Sequence, residues 1–234
     1  MIRFEKVKIG YKEALLKVNF NLLEKGNAYA LIGANGSGKS TFLKSVCGQI
    51  SAFSGEIYLS DRNCSTLSAN EKSKIVAFVP SRFPSVSNMC VYDFVGLGRT
   101  PYLNALGRLS ENDKKHVEAS MDELKIQHLG QKMVSELSDG EKQLCSIARA
   151  ICQETPIVLL DEPTSFLDYR NKLIVLEKIN LLASQSQKCV IFSSHDLDLV
   201  TTNCKNVLYT HPLNHQLSKI DVPFTKEDLI RLAY

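Results

Sequence analysis

The sequence predicts an α/β fold built on a parallel sheet, and three observations carry that prediction. Short apolar runs at residues 29–32, 75–79, 157–160 and 189–192 place apolar side chains on consecutive positions, as strands buried on both faces do. Segments with helical spacing separate these runs, the alternation that lays strands side by side with helices crossing between them. A chain of 234 residues, 44% of them apolar, can bury a large core and form one sizeable domain or two joined lobes.

The elements follow in order. The first twenty residues interleave Arg3, Glu5, Lys6, Lys8, Lys12, Glu13 and Lys17 with apolar positions, which excludes the apolar segment of a secretory leader there. The run 29–32 leads into GANGSGKST, and Phe42, Leu43, Val46, Cys47 and Ile50 then give one face of a helix. Between Ser81 and Thr155 the pattern changes to helices and loops. Ser110 and Asp113 form a capping box there, ahead of Val117, Met121 and Leu124 at helical spacing. In ELSDGEKQLCSIARA, residues 136–150, Ser138 caps a helix whose buried face is read from Leu144, Ile147, Ala148 and Ile151, and Gly140 permits a close approach of backbone. Asp161, Glu162 and Pro163 end the run 157–160, and SSHDLD follows the run 189–192. A short closing helix over 222–234 begins at Thr225, with Asp228 completing its box.

Composition narrows the chemistry. A formal charge of +3, from 28 basic and 25 acidic side chains, gives no long-range attraction to nucleic acid or anionic lipid. The seven cysteines, at 47, 64, 90, 145, 152, 189 and 204, include no C-x-x-C pair and read as reduced thiols serving as small core residues. No apolar run approaches the roughly 18 residues of a spanning helix.

GANGSGKST has the P-loop spacing in the context that motif requires, after a strand and before a helix. Successive backbone N–H groups of Gly33, Ala34, Asn35, Gly36, Ser37 and Gly38 can wrap phosphate oxygens at the helix N-terminus. Lys39 is expected on the β- and γ-phosphates, Ser40 on magnesium, and Thr41 completes the motif. Acids at a strand end are common taken alone. Beside a P-loop they fall at the carboxyl edge where parallel sheets bind ligands. Asp161 is therefore expected to serve a magnesium-bound water and Glu162 the attacking water.

The P-loop, LSDGEKQ, LLDEP, SFLD and the strand-terminal His195 occur in that order along nearly the whole chain, and together they resemble the ATP-binding cassette family. The resemblance implies a P-loop NTPase, RecA-like core over about 1–81 and 156–234, with an N-terminal antiparallel β portion and a helical signature subdomain inserted over about 82–155. It implies ATP and Mg2+ as ligands and a homodimer that sandwiches two nucleotides, Ser138 and Gly140 of one copy meeting the γ-phosphate held by the other. His195 is expected on the γ-phosphate, Asp168 at the dimer seam and Tyr11 on the adenine. Two departures are plain. Asp139 stands where the family has glycine and Glu141 where it has glutamine, and both carboxylates are expected to turn away from ATP. Ser81 stands where the family places a glutamine that touches magnesium, so a serine oxygen must meet the ion through water, with slower hydrolysis or looser coupling as the consequence.

VGLGRTPYLNALGRLSENDKK, residues 95–115, resembles the branch of the family that imports iron-siderophores, heme and cobalamin. That implies integral membrane permease subunits as partners, an extracytoplasmic substrate-binding protein reached through them, no nucleic acid, and a peripheral place on the cytoplasmic face of the membrane. A soluble cassette ATPase of the iron-sulfur assembly type shares every nucleotide motif, and a low-turnover regulatory ATP-binding module fits Ser81 and Asp139; both stand as alternatives.

Overall fold

A computed structural model describes residues 1–86, 88–103 and 107–234; residues 104–106, inside the importer-like stretch, lie outside the described residues. The N-terminal third runs β1 (Ile2–Gly10), β2 (Ala14–Val18), β3 (Leu22–Leu23), β4 (Ala28–Ile32), α1 (Lys39–Val46), β5 (Ser54–Leu59), β6 (Arg62–Asn63), α2 (Ala69–Ser73) and β7 (Val76–Val79). Three helices follow, α3 (Val91–Gly96), α4 (Glu111–Glu123) and α5 (Asp139–Cys152), with a 3-10 segment at Leu97–Tyr102. The chain then returns through β8 (Ile157–Leu160), α6 (Tyr169–Ser184), β9 (Cys189–Ser193), α7 (Leu197–Asn203), β10 (Asn206–Thr210), β11 (Gln216–Asp221) and α8 (Lys226–Ala233).

The strands join in one mixed sheet of order β6-β5-β1-β2-β11-β10-β4-β9-β8-β7, with β3 paired to β1. Strands β10, β4, β9, β8 and β7 are parallel neighbours, while β1 pairs antiparallel with β2, β3 and β5. The parallel core and the antiparallel N-terminal portion are thus both present in a single sheet. Alternation along β4 explains how one strand serves two cores. Ala28, Ala30 and Ile32 face the side covered by α3 to α8, and Tyr29 and Leu31 face the side where α1 packs Phe42, Leu43 and Val46 against Phe4 and Ile57. Helix α1 ends at Val46, so Ile50 lies beyond it, half-buried.

Helix α5 is packed on several sides, by α3, α4, the 3-10 segment and β7. Its buried face is consequently broader than the stripe read from sequence and turned from it. Cys145, Ile147, Ala148 and Cys152 are buried, whereas Leu144 and Ile151 are half-buried at its margins. Arg99 fastens this region. Its Nε donates to Asp113 Oδ1 at 2.9 Å, and its Nη1 donates to the Cys152 carbonyl and to Glu154 Oε2, each at 2.8 Å. The guanidinium also lies 4.2 Å from the centre of the Tyr102 ring. One buried cation therefore ties the capped start of α4 to the end of α5. Gly98 sits so close to α5 that a Cβ there would lie 2.4 Å from the Arg149 carbonyl oxygen.

Candidate nucleotide site

The parallel strands deliver the expected residues to one edge of the sheet. Pairing of Leu31 with Ser193, Leu160 with Phe192 and Leu160 with Val79 brings Gly33, His195, Asp161, Glu162 and Ser81 to neighbouring strand ends. The loop after β4 turns so tightly that a Cβ on Gly33 would fall 1.8 Å from Thr210 Oγ1, at φ +152°. Gly38, at φ +97°, begins α1 under Leu15 and Leu16. No side chain caps α1, which leaves its first N–H groups open for an anion. Ser37 Oγ accepts from Thr210 Oγ1 at 2.8 Å, while Asn35, Gly36 and Ser40 are exposed and Ala34 and Thr41 half-buried.

Lys39 is buried, and its Nζ donates to the carbonyls of Gly33 at 2.8 Å and Ala34 at 3.0 Å. Burial lowers its pKa, and the carboxylates of Glu162 and Asp161 oppose that shift. The ammonium is thus held over its own loop, facing the two strand-end acids.

Asp161 is buried, with Oδ1 accepting from Ser193 Oγ at 2.7 Å, and the same Ser193 oxygen accepts the Glu162 N–H at 2.7 Å. Glu162 takes φ +52°, a left-handed conformation that costs a non-glycine residue about 1 kcal/mol or more. The result points its carboxylate at His195, Oε1 to Nε2 at 2.8 Å. Ser81 follows β7 at the same edge, half-buried. Oxygen donors of this kind, one buried carboxylate with exposed or half-buried hydroxyls, suit a hard cation that keeps much of its water. No cluster of three or more His, Cys, Asp or Glu able to hold a metal occurs among the described residues.

Tyr11 lies exposed in the turn between β1 and β2, the hairpin whose Leu15 and Leu16 cover Gly38. Asp168 is the N-cap of α6, its Oδ1 accepting from the Asn171 N–H at 2.8 Å.

Ser138 and Gly140 stand apart from this group. They open α5, which packs on β7, and β7 is three strands from β4, roughly 14 Å at the usual spacing between strands. Asp139 is exposed, 3.6 Å from Lys142. Glu141 folds back on the start of its own helix. Its Oε2 accepts from both the N–H and the hydroxyl of Ser138 at 2.8 Å, closing a capping box that lowers its pKa, chiefly through the Ser138 N–H and then the hydroxyl. The reason is the one that draws phosphate to helix tips: unsatisfied backbone donors recruit the nearest anion, and here the chain carries one.

Sequence reasoning missed Ser193 and Thr210. Ser193 bridges the two acids and Thr210 braces the P-loop; Ser193 carried the signal of its place in SSHDLD, and Thr210 only its place at a strand end. Arg99 was read only as part of GRTPY.

A parallel sheet with a glycine turn and an open helix tip after one strand, and paired acids after a second, defines a P-loop nucleoside triphosphatase. The ABC transporter family model matches residues 15–165, and the chain belongs to that family as an ATPase subunit. It is 30% identical to the iron(3+)-hydroxamate import ATP-binding protein FhuC of Bacillus subtilis over 195 residues, 83% of this chain and 72% of that protein. It is 33% identical to the achromobactin transport ATP-binding protein CbrD of Dickeya dadantii over 204 residues, 87% of this chain and 76% of that one. Among solved structures, an inward-facing ABC transporter described as of metal-chelate type superposes with TM-score 0.83 at 30% identity, over 99% of this chain and 88% of that one. The cassette MJ0796, a dimer bound to ADP and Pi, shares the fold with TM-score 0.82 at 22% identity, over 96% of this chain and 100% of that chain.

Proposed function

We propose that this chain is the ATP-hydrolysing subunit of an importer for a chelated metal or corrinoid, of the iron-siderophore, heme or cobalamin kind, and that two copies close around two Mg-ATP to drive integral permease subunits. The observation that carries the reading is the split site. Lys39, Asp161, Glu162 and His195 converge at one sheet edge, while the helix tip at Ser138 and Gly140, capped by Glu141 and packed against Leu167, belongs to the helix on β7 and suits the nucleotide of a second copy.

In this reading the N–H groups of residues 33–41 and Lys39 hold the β- and γ-phosphates, and Tyr11 stacks on adenine. Ser40, Asp161 and, through water, Ser81 hold the magnesium ion, which supplies charge neutralisation for the phosphoryl group. Glu162 accepts the proton of the attacking water, and His195, whose Nε2 is hydrogen-bonded to Glu162, orients that carboxylate and turns the same N–H to the γ-phosphate when nucleotide is bound. Asp168 organises the seam. Thr100, Pro101, Arg149 and Gln153 line a groove of about 430 Å³ that suits a cytoplasmic segment of the permease. No helix among the described residues is long and apolar enough to cross a membrane, so the chain's place at the cytoplasmic face depends on that partner. An extracytoplasmic binding protein is reached only through the permease.

The test is the Glu162→Gln cassette in Mg-ATP, alone and with copurified permease. The expected results are hydrolysis lowered at least a hundredfold with ATP still bound, and a nucleotide-dependent dimer. A monomer under both conditions would refute the reading, and identification of the molecule retained by the associated binding protein decides the cargo.

A further inference from the structure

At the end of α1 far from the P-loop, a recess of about 160 Å³ is enclosed by the turn after that helix, β5, the 3-10 turn at Cys64–Thr66 and α2. It shares no residue with the nucleotide site. Gly48, at φ +72°, is one of its walls, and a Cβ there would lie 2.9 Å from both Cys64 Sγ and Lys72 Cε. The methylene stem of Lys72 is thus packed down over a turn that only glycine makes cheaply. Ile50, Ala52 and Ile57 add apolar surface.

Two polar groups on these walls lack partners. Ser45 is 1% exposed, and its hydroxyl has no hydrogen-bond partner among the described residues, an uncommon state for a buried donor. Lys72 is half-buried and, among the described residues, makes no ion pair; the neighbouring Glu71 is taken by Arg62. Glu56, on another wall, is held in place. Asn63 Nδ2 donates to its Oε1 at 2.9 Å and the Tyr58 hydroxyl to its Oε2 at 2.7 Å. Asn63 is fixed in turn by the N–H and hydroxyl of Ser65, which donate to its Oδ1 at 3.0 and 2.8 Å. This carboxylate is therefore positioned before any guest arrives, and its oxygens keep capacity to accept more. A cation and an anion on the walls of one small recess, not paired with each other, leave a gap that a molecule carrying both charges fits.

We propose that this recess is a binding site for a small zwitterion of the α-amino acid kind, with its carboxylate on Lys72 and the Ser45 hydroxyl and its ammonium on Glu56. Volume sets the size: a cavity of this order holds a molecule of about six non-hydrogen atoms, which is alanine. The apolar wall accepts a methyl group and offers nothing to a charged side chain. Glu56 discriminates against phosphate and other polyanions by like-charge repulsion. Because Ser45 belongs to the helix that Lys39 opens, the guest touches the phosphate-binding element from its opposite end. The site does not depend on the dimer or transport reading above.

The experiment titrates the full-length protein, free of nucleotide, with L-alanine, propionate and ethylamine, followed by calorimetry and by amide chemical shifts. Alanine is expected to saturate a single site, with shifts centred on residues 45–57, 63–65 and 72. Propionate and ethylamine each lack one of its charges, and each should bind at least about tenfold more weakly. Lys72→Met and Glu56→Gln should each weaken alanine by about tenfold or more, while both variants melt as the parent does and keep its ATP affinity. No saturable binding at millimolar alanine, propionate binding as tightly as alanine, or an alanine affinity indifferent to both substitutions overturns the proposal, and the ATPase reading is untouched by any of these results.

Discussion

Replacing Arg99 with methionine removes a cation that three acceptors depend on. Two of them are enclosed. Asp113 has only 9% of its side chain exposed and keeps just the Ser110 N–H at 3.0 Å and hydroxyl at 2.6 Å, both on Oδ2, so Oδ1 is left bare. The Cys152 carbonyl loses its side-chain donor. The third, Glu154, is 47% exposed on its side chain and is rehydrated at little cost. Deleting one member of a buried pair costs about 3–5 kcal/mol, and the rehydration of Glu154 places this case near 3. For a chain of this length that corresponds to a melting temperature lower by about 6–12 °C. Calorimetry and urea unfolding of the free cassette measure it. Adding Asp113→Asn to Arg99→Met should recover part of the loss, because a neutral amide tolerates what an unpaired carboxylate does not. A loss under 1 kcal/mol, or strict additivity of the two changes, refutes the reasoning. Because the cluster sits behind the groove and away from the P-loop, ATP affinity of the monomer should change less than twofold.

Lys39→Met should weaken ATP binding by about a hundredfold or more, measured by fluorescent-nucleotide titration, since a charge-assisted contact is lost at a desolvated site. The Ser110 hydroxyl, with help from Arg99, holds the Asp113 carboxyl down to about 2 in the folded chain, below its ordinary 3.8. That contribution is complete above about pH 4 and is lost as pH falls through 2, so acid unfolding of Asp113→Asn should be less steep between pH 4 and 2. Ser81→Gln should raise the hydrolysis rate or its coupling to transport, and unchanged values of both would remove Ser81 from the site. Glu141→Gln keeps the capping box but removes a full charge. A carboxylate about 6 Å from a phosphate oxygen costs roughly 3 kcal/mol per unit charge at an effective dielectric near 20, so ATP-driven dimerisation should tighten by tenfold or more.

The parallel core was legible because β4, β7, β8 and β9 are buried on both faces and therefore read as continuous apolar runs. Strands β10 and β11 carry polar residues such as Asn206, Ser218 and Lys219 among their apolar ones, and no local signal gives their insertion between β2 and β4. Motif residues were legible because backbone phosphate binding demands glycine and lysine at fixed spacing. Ser193 and Arg99 were not, since each acts on partners 32 and 53 residues away, at Asp161 and at Cys152. The box that Glu141 closes on Ser138 has the same spacing as those read at Ser110 and Thr225, and the sequence reading weighed its carboxylate only against a phosphate.

Strand order also explains why a single copy is expected to be incomplete. A phosphate seated over the β4 turn lies three strands from β7, roughly 14 Å at the usual spacing, so under the proposed dimer the Ser138 tip would serve the other copy's nucleotide. The two half-sites of one chain are nevertheless in contact. Glu162 holds the loop through its carbonyl, the loop places Leu167 against Gly140, and Gly140 opens the signature helix. A larger residue at 140 would press on that leucine before it reached any nucleotide. Loop and helix tip are therefore one packed unit, and any shift of the Glu162 carbonyl bears on Leu167 and through it on Gly140.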